Sequence, residues 1–200
     1  MRDATRVVRA GLPDPASGHP FQPGPTFAAP FHAAGDVADV PFSYGRLHNP
    51  TWTAYENAWS SLEKASSTVV FSSGMAAITA VLGVTLKAGD VVVIPSDGYY
   101  TGRALVAGVF AKFGVVTRTA KTSPKLSEDV IRGARLVWLE TPSNPHLDVC
   151  DIEAVARIAH SEGALLAVDN TTPSALGQQP LKLGADFSVA SDRSEEHTSE

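Results

Sequence analysis

The sequence predicts an α/β fold with a mostly parallel sheet and flanking helices, preceded by an extended N-terminal arm. Three observations carry this. Short apolar runs, many of them rich in β-branched residues, recur after residue 67. Stretches with helical spacing separate them, and that alternation is the signature of a parallel sheet. The first 50 residues hold Pro13, Pro15, Pro20, Pro23, Pro25, Pro30, Pro41 and Pro50, too many for a long helix.

Taken in order, residues 1–50 form the arm. Composition alone favours a disordered tail; the alternative is an arm that becomes ordered against a partner subunit. Residues 51–192 form the α/β domain. Thr53 with Glu56 three residues on is a capping-box pattern. Ala54, Tyr55, Ala58, Trp59, Leu62 and Ala65 then recur at helical spacing. Thr68–Phe71 reads as a short buried strand, Ser72–Gly74 as a turn, and Met75–Leu86 as a helix packed on a sheet. Lys87–Asp90 is a turn before a strand at Val91–Ile94. A helix over about 102–113 and a strand at Val115–Val116 follow. Leu136–Leu139 and Ala164–Val168 read as strands on either side of a helix at Ile152–Ala159, and Phe187–Ala190 as a final strand.

Composition narrows the function classes. Hydrophobic residues make up 44% of the 200 and charged residues 18%, enough apolar content for a sizeable core. The net charge of -5 and the lack of a basic patch argue against nucleic acid as a partner. No apolar run is long enough for a membrane span, and the first residues lack the apolar stretch of a secretory signal. Cys150 stands alone and cannot form an internal disulfide, which fits a cytoplasmic location. The six histidines show no metal-ligand spacing, so no metal site is expected.

In parallel sheets, ligands sit beyond the carboxyl ends of the strands. The residues after each strand are therefore the candidates. Ser72-Ser73-Gly74-Met75 joins a strand to a helix, where free N–H groups can hold a phosphate. An ordinary capped helix start reads the same way. No G-x-x-x-x-G-K or G-x-G-x-x-G loop is present, which counts against nucleotide readings. Asp97-Gly98-Tyr99 follows the second strand, and the Tyr99 ring either stacks on a flat ligand or fills a rim position. In Glu140-Thr141-Pro142-Ser143-Asn144-Pro145 the prolines stiffen the loop and fix Asn144, as a ligand donor or as part of a tight turn. Asp169-Asn170-Thr171 places a carboxylate at a strand end, where it could bind a metal, act as a base, pair with a protonated ring nitrogen, or face water in a turn. Tyr44 and Arg46, near the end of the arm, suit phosphate or a surface ion pair.

The ordered set Y-x-R-x-x-N-P-T, S-G-M, D-x-Y, E-x-P-S-N-P, D-N-T and G-A-D resembles the cystathionine gamma-lyase and gamma-synthase family of pyridoxal-phosphate enzymes, over about residues 5–191. The resemblance is closest to the cystathionine gamma-lyase branch. It implies the large domain of a fold-type I pyridoxal-phosphate transferase, incomplete here. Pyridoxal 5'-phosphate would be the cofactor. Gly74 and Met75 would offer N–H groups to its phosphate, and Ser191 a hydroxyl. Tyr44 and Arg46 would reach the same phosphate from a neighbouring subunit of a homo-oligomer, a homotetramer. Tyr99 would stack on the pyridine, Asn144 would sit beside the phenolic oxygen, and Asp169 would pair with the ring nitrogen. Asp169 and Tyr99 are thus the catalytic candidates. A carboxylate beside that nitrogen favours its protonated form, which stabilises a carbanion at the substrate α-carbon. The implied reaction is γ-elimination of cystathionine to cysteine, 2-oxobutanoate and ammonia. Cystathionine gamma-synthase activity, or a non-catalytic phosphate-ligand module, are the alternatives.

The chain departs from the family pattern at one place. The family carries S-x-T-K after the G-A-D strand; here Ser191-Asp192 is followed by Arg193 and then Ser194 where the lysine is expected. That lysine anchors the cofactor and shuttles protons, so the chain as written is expected to be inactive and truncated. The family's smaller carboxy-terminal domain is expected to be missing with it. Residues 193–200 have no hydrophobic period and resemble a translated sequencing-library adapter, so they read as a non-native tail. An unfinished sheet would expose an open edge, and poor solubility is expected.

Overall fold

Hydrogen bonds organise residues 3–70. The structure is a computed structural model and describes residues 3–192. It divides between Val70 and Phe71 into two units. The first holds helix α1 (Asp3–Arg9), the Pro-rich arm and helix α2 (Pro50–Glu63), so α2 falls with the arm, whereas composition drew the line at residue 50. The arm is tied to the start of α2. Asn49 caps that helix, its Oδ1 accepting from the Thr51 N–H at 2.9 Å while its Nδ2 donates to the Thr26 carbonyl at 3.0 Å. The Thr26 N–H donates to Thr51 Oγ1 at 2.8 Å, and Pro30 pairs with Tyr44 in an antiparallel bridge.

Two readings of this region are corrected. The cap of α2 is Asn49, with Pro50 in the first turn, and not the Thr53/Glu56 box. An Asn cap followed by a proline whose φ is already helical outcompetes a box one turn later. Glu56 instead accepts the Val70 N–H at 2.9 Å. The expected strand at Thr68–Phe71 is not formed, and Val69 is 66% exposed. Its apolar pattern is that of a strand, but no neighbour supplies a ladder.

In the second unit the expected α/β alternation holds. Strands β1 (Val91–Pro95), β2 (Val116–Ala120), β3 (Leu136–Glu140), β4 (Leu165–Asp169) and β5 (Phe187–Val189) form one sheet in the order β2-β1-β3-β4-β5. Every pairing is parallel. Helix α3 (Gly74–Thr85) leads into β1, and α4 (Tyr100–Gly108), α5 (Glu128–Ile131), α6 (Ile152–Ser161) and α7 (Ser174–Gly177) connect the strands in turn. The short α5 and α7 carry too little period to be read from sequence.

Alternate residues of the central strands feed two apolar clusters. Val92, Ile94, Leu136, Trp138 and Ala167 pack with Ile78 and Leu82 of α3. Val93, Val137, Leu139, Leu166 and Val168 pack with Ile152, Val155 and Ala159 of α6. Burial on both sides explains why these strands read as unbroken apolar runs. Each fully buried Leu or Val contributes about 1.5–3 kcal/mol. Among the described residues no helix is long and apolar enough to cross a membrane. Arg193, Ser194 and the rest of 193–200 lie outside the described residues.

Candidate active site

The strand order reverses between β1 and β3: the chain runs outward from β1 to β2, then returns to β3 on the other side. Such a switch opens a crevice at the carboxyl ends of the two central strands. Beyond β1 lies Asp97-Gly98-Tyr99, and β3 ends at Glu140. Tyr99, Arg103, Glu140 and Asp169, with Ile94 and Trp138, line a shallow cleft.

Asp169 is the last residue of β4 and is 8% exposed. Its Oδ1 accepts the Thr171 hydroxyl at 2.6 Å and the Thr171 N–H at 3.1 Å. Among the described residues its other oxygen, Oδ2, accepts no hydrogen bond. Burial raises its pKa, against the opposing pull of the Thr171 bonds. A buried carboxylate with one free oxygen suits a cationic N–H partner.

Thr171 links this carboxylate to the start of α3. Its Oγ1 accepts the Ser191 N–H at 3.0 Å. Ser191 in turn lies against Gly74: a Cβ built there would fall 2.8 Å from Ser191 Cβ and 3.3 Å from its Oγ. Only glycine lets the two approach so closely. Ser73 caps α3 by accepting the Ala76 N–H at 3.1 Å, which leaves the Gly74 and Met75 N–H groups without an acceptor among the described residues. Two free amides and a serine make a cradle suited to a phosphate.

The sequence-predicted residues of this unit therefore converge on one end of the sheet. Tyr99 and Asp169 line one cleft, and Tyr99 is 45% exposed at its rim. Asn144 joins through its N–H, which donates to Glu140 Oε1 at 3.0 Å. Gly74, Met75 and Ser191 join through Thr171. Tyr44 and Arg46 lie in the first unit, where the Arg46 guanidinium sits 5.0 Å from the centre of the Tyr44 ring. The residues present fit pyridoxal phosphate: free amides for its phosphate, a rim tyrosine for its ring, and a buried carboxylate with a free oxygen for its ring nitrogen.

Sequence reasoning gave no role to Thr171 or Glu140. Thr171 stands in the D-N-T motif, and its signal is only its place two residues beyond a strand-end acid. Glu140 heads the E-x-P-S-N-P motif, and its signal is an acid ending an otherwise apolar strand. It is 7% exposed and pairs in register with Asp169 on the neighbouring strand. Burial, with Asp169 adding to it, pushes its carboxyl up to about 7 against the Tyr99 N–H bond.

The comparisons agree with this geometry. The sequence profile of the Cys/Met metabolism PLP-dependent enzyme family matches residues 5–193. A Streptomyces coelicolor protein provisionally named cystathionine gamma-lyase is 53% identical over 193 residues, 94% of this chain and 49% of that protein. Cystathionine gamma-synthase of Mycobacterium tuberculosis is 38% identical over 189 residues, 92% of this chain and 48% of that protein. The crystal structure of cystathionine gamma-synthase from Xanthomonas oryzae in complex with cystathionine superposes with a TM-score of 0.86 at 32% identity, covering 95% of this chain and 50% of that one. The chain thus spans about half the length of the curated relatives it matches. The chain belongs to the Cys/Met metabolism PLP-dependent enzyme family, whose cofactor is pyridoxal phosphate.

Proposed function

We propose that this chain is the cofactor-holding part of a carbon–sulfur lyase whose reaction is γ-elimination of cystathionine to cysteine, 2-oxobutanoate and ammonia. The observation that carries the reading is the buried Asp169 carboxylate, open at Oδ2 and joined through Thr171 and Ser191 to the free amides of Gly74 and Met75. When bound, pyridoxal phosphate supplies an electron-poor ring that stabilises negative charge at the substrate α-carbon. The chain's own residues hold and tune it. The N–H groups of Gly74 and Met75 and the Ser191 hydroxyl bind the phosphate. Tyr99 covers the ring, the Asn144 amide holds the phenolic oxygen, and Asp169 keeps the proton on the ring nitrogen. Tyr44 and Arg46 serve the phosphate of a neighbouring subunit in a cytoplasmic homotetramer. Neither nucleic acid nor a membrane is a partner.

The 53% identity to the Streptomyces protein supports the lyase over the alternative, a cystathionine gamma-synthase. The 200-residue chain alone is inactive in this reading, because Ser194 stands where the family carries its lysine. The test is to express the reading frame extended to include that lysine and the second domain, and to supply cystathionine. Release of 2-oxobutanoate is expected. Formation of cystathionine from cysteine and a γ-substituted homoserine, without that release, would reassign the enzyme as a synthase. Cystathionine cleavage by the unextended chain at the rate of the extended one would refute its inactivity.

A further inference from the structure

Glu140 is an expensive residue to keep. Its carboxyl is buried at the end of β3, on the same rung of the ladder as the Asp169 carboxyl. Among the described residues it has no Lys or Arg in an ion pair. Two like charges on one rung disfavour each other, and burial disfavours both. Something else must offset this cost.

The hydrogen bonds of Glu140 identify it. Oε2 accepts the Tyr99 N–H, in the segment that follows β1. Oε1 accepts the Asn144 N–H at 3.0 Å, in the loop that follows β3. The two donors are backbone groups on different segments, and each needs an acceptor. A carboxylate supplies two acceptors; a glutamine of the same shape supplies one and puts a donor in the other place. The sequence around the first contact is shaped for it. A Cβ at Gly98 would fall 2.8 Å from Glu140 Oε2 and 2.7 Å from Pro95 Cγ, so a larger residue there would lift the Tyr99 segment off the carboxylate.

We propose that Glu140 is a positioning residue: a single buried carboxylate fastens the backbone of the Tyr99 segment and that of the Asn144 loop, and so sets the ring and the amide relative to Asp169. The roles of that ring and amide rest on the function proposed above; the fastening does not. Glu140 makes no contact with the reacting atoms in this account. It acts through Tyr99 and Asn144.

The test follows amide hydrogen exchange of the 200-residue chain residue by residue by NMR, together with binding of pyridoxal phosphate and of inorganic phosphate. In Glu140→Gln at least one of the Tyr99 and Asn144 amides should exchange about tenfold faster or more, because a hydrogen bond to a charged acceptor is lost. The amides of Trp138 and Leu139 should keep their rates. In Gly98→Ala, which leaves every charge in place, the Tyr99 amide alone should be released and Asn144 should stay protected. Affinity for pyridoxal phosphate should fall about tenfold in Glu140→Gln while affinity for inorganic phosphate holds, since the Gly74 cradle is untouched. Unchanged exchange at both amides in Glu140→Gln would overturn the proposal. So would a general rise that includes Trp138 and Leu139, or a parent chain whose Tyr99 and Asn144 amides are already unprotected. If the exchange pattern holds but the parent chain ignores pyridoxal phosphate, the fastening stands and the roles given to the Tyr99 ring and the Asn144 amide toward the cofactor fall.

Discussion

The two units of this chain are held by different forces. Among the described residues every buried hydrophobic side chain sits at Ile78 or later, all but Ala175 in two clusters around the sheet. Among the described residues of the first unit the buried ones are Gly45, Asn49 and Glu63, none with an apolar side chain. The second unit is stabilised by removing hydrocarbon from water, the first by hydrogen bonds such as those of Asn49. The lesson is that one polypeptide can hold both a densely packed unit and a segment whose order depends on a few polar contacts.

Substitutions can break or sharpen that contrast. The largest effect is expected at Leu166 of β4, which is 0% exposed. Leu166→Ala should lower the unfolding free energy by about 3 kcal/mol in a denaturant titration, through lost burial and the cavity left behind. Val37→Ala in the arm, at a residue 58% exposed, should stay within about 0.5 kcal/mol. Equal costs at the two sites would erase the contrast. Next comes Asp169→Asn, which removes the carboxylate charge but keeps the shape. Affinity for pyridoxal phosphate should drop about tenfold or more, read by fluorescence quenching, because a charge-assisted hydrogen bond is lost. An unchanged affinity would remove Asp169 from the site. Asn49→Ala should cost about 1 kcal/mol and act locally. Faster proteolysis within residues 20–50, with the thermal transition of the second unit unmoved, is the expected pattern.

A separate prediction concerns pH. The Glu140 carboxyl has an ordinary value of 4.5 and is held at about 7 by burial in the folded chain. The native state therefore binds that proton more tightly than the unfolded state. The stabilisation linked to it is full below pH 4.5 and is lost as pH rises through 7. Stability curves for the parent and Glu140→Gln should converge at low pH and separate above it. A parent curve that is parallel to the variant throughout would show that Glu140 does not titrate in this window.

Much of the sheet was legible because residues buried on both sides leave continuous apolar runs. Leu136–Leu139 and Ala164–Val168 could hardly be anything else. Thr68–Phe71 carries the same local pattern and forms no strand, because a strand needs a neighbour and no window of sequence contains one. The Thr53/Glu56 box failed for a related reason, since a stronger cap with a proline after it lay one turn earlier. The placing of the candidates was legible where they belong to a named motif, since Asp169, Gly74 and Asn144 all stand at one end of the sheet; their roles toward a cofactor are the proposal made above. Glu140 stayed hidden because one of its partners, the Tyr99 N–H, lies 41 residues away in sequence and is a backbone group that leaves no trace in residue type.

The ladder between β3 and β4 sets the final constraint. Trp138 faces Ala167 and Glu140 faces Asp169, rung for rung. Side chains alternate along a strand, so a shift of the pairing by one residue would turn the acid of the moved strand toward α6 and bring apolar groups to the crevice. An insertion or deletion inside either strand would thus not weaken the chemistry by degrees. Unless a bulge absorbs the extra residue, it would separate Glu140 from Asp169 in a single step.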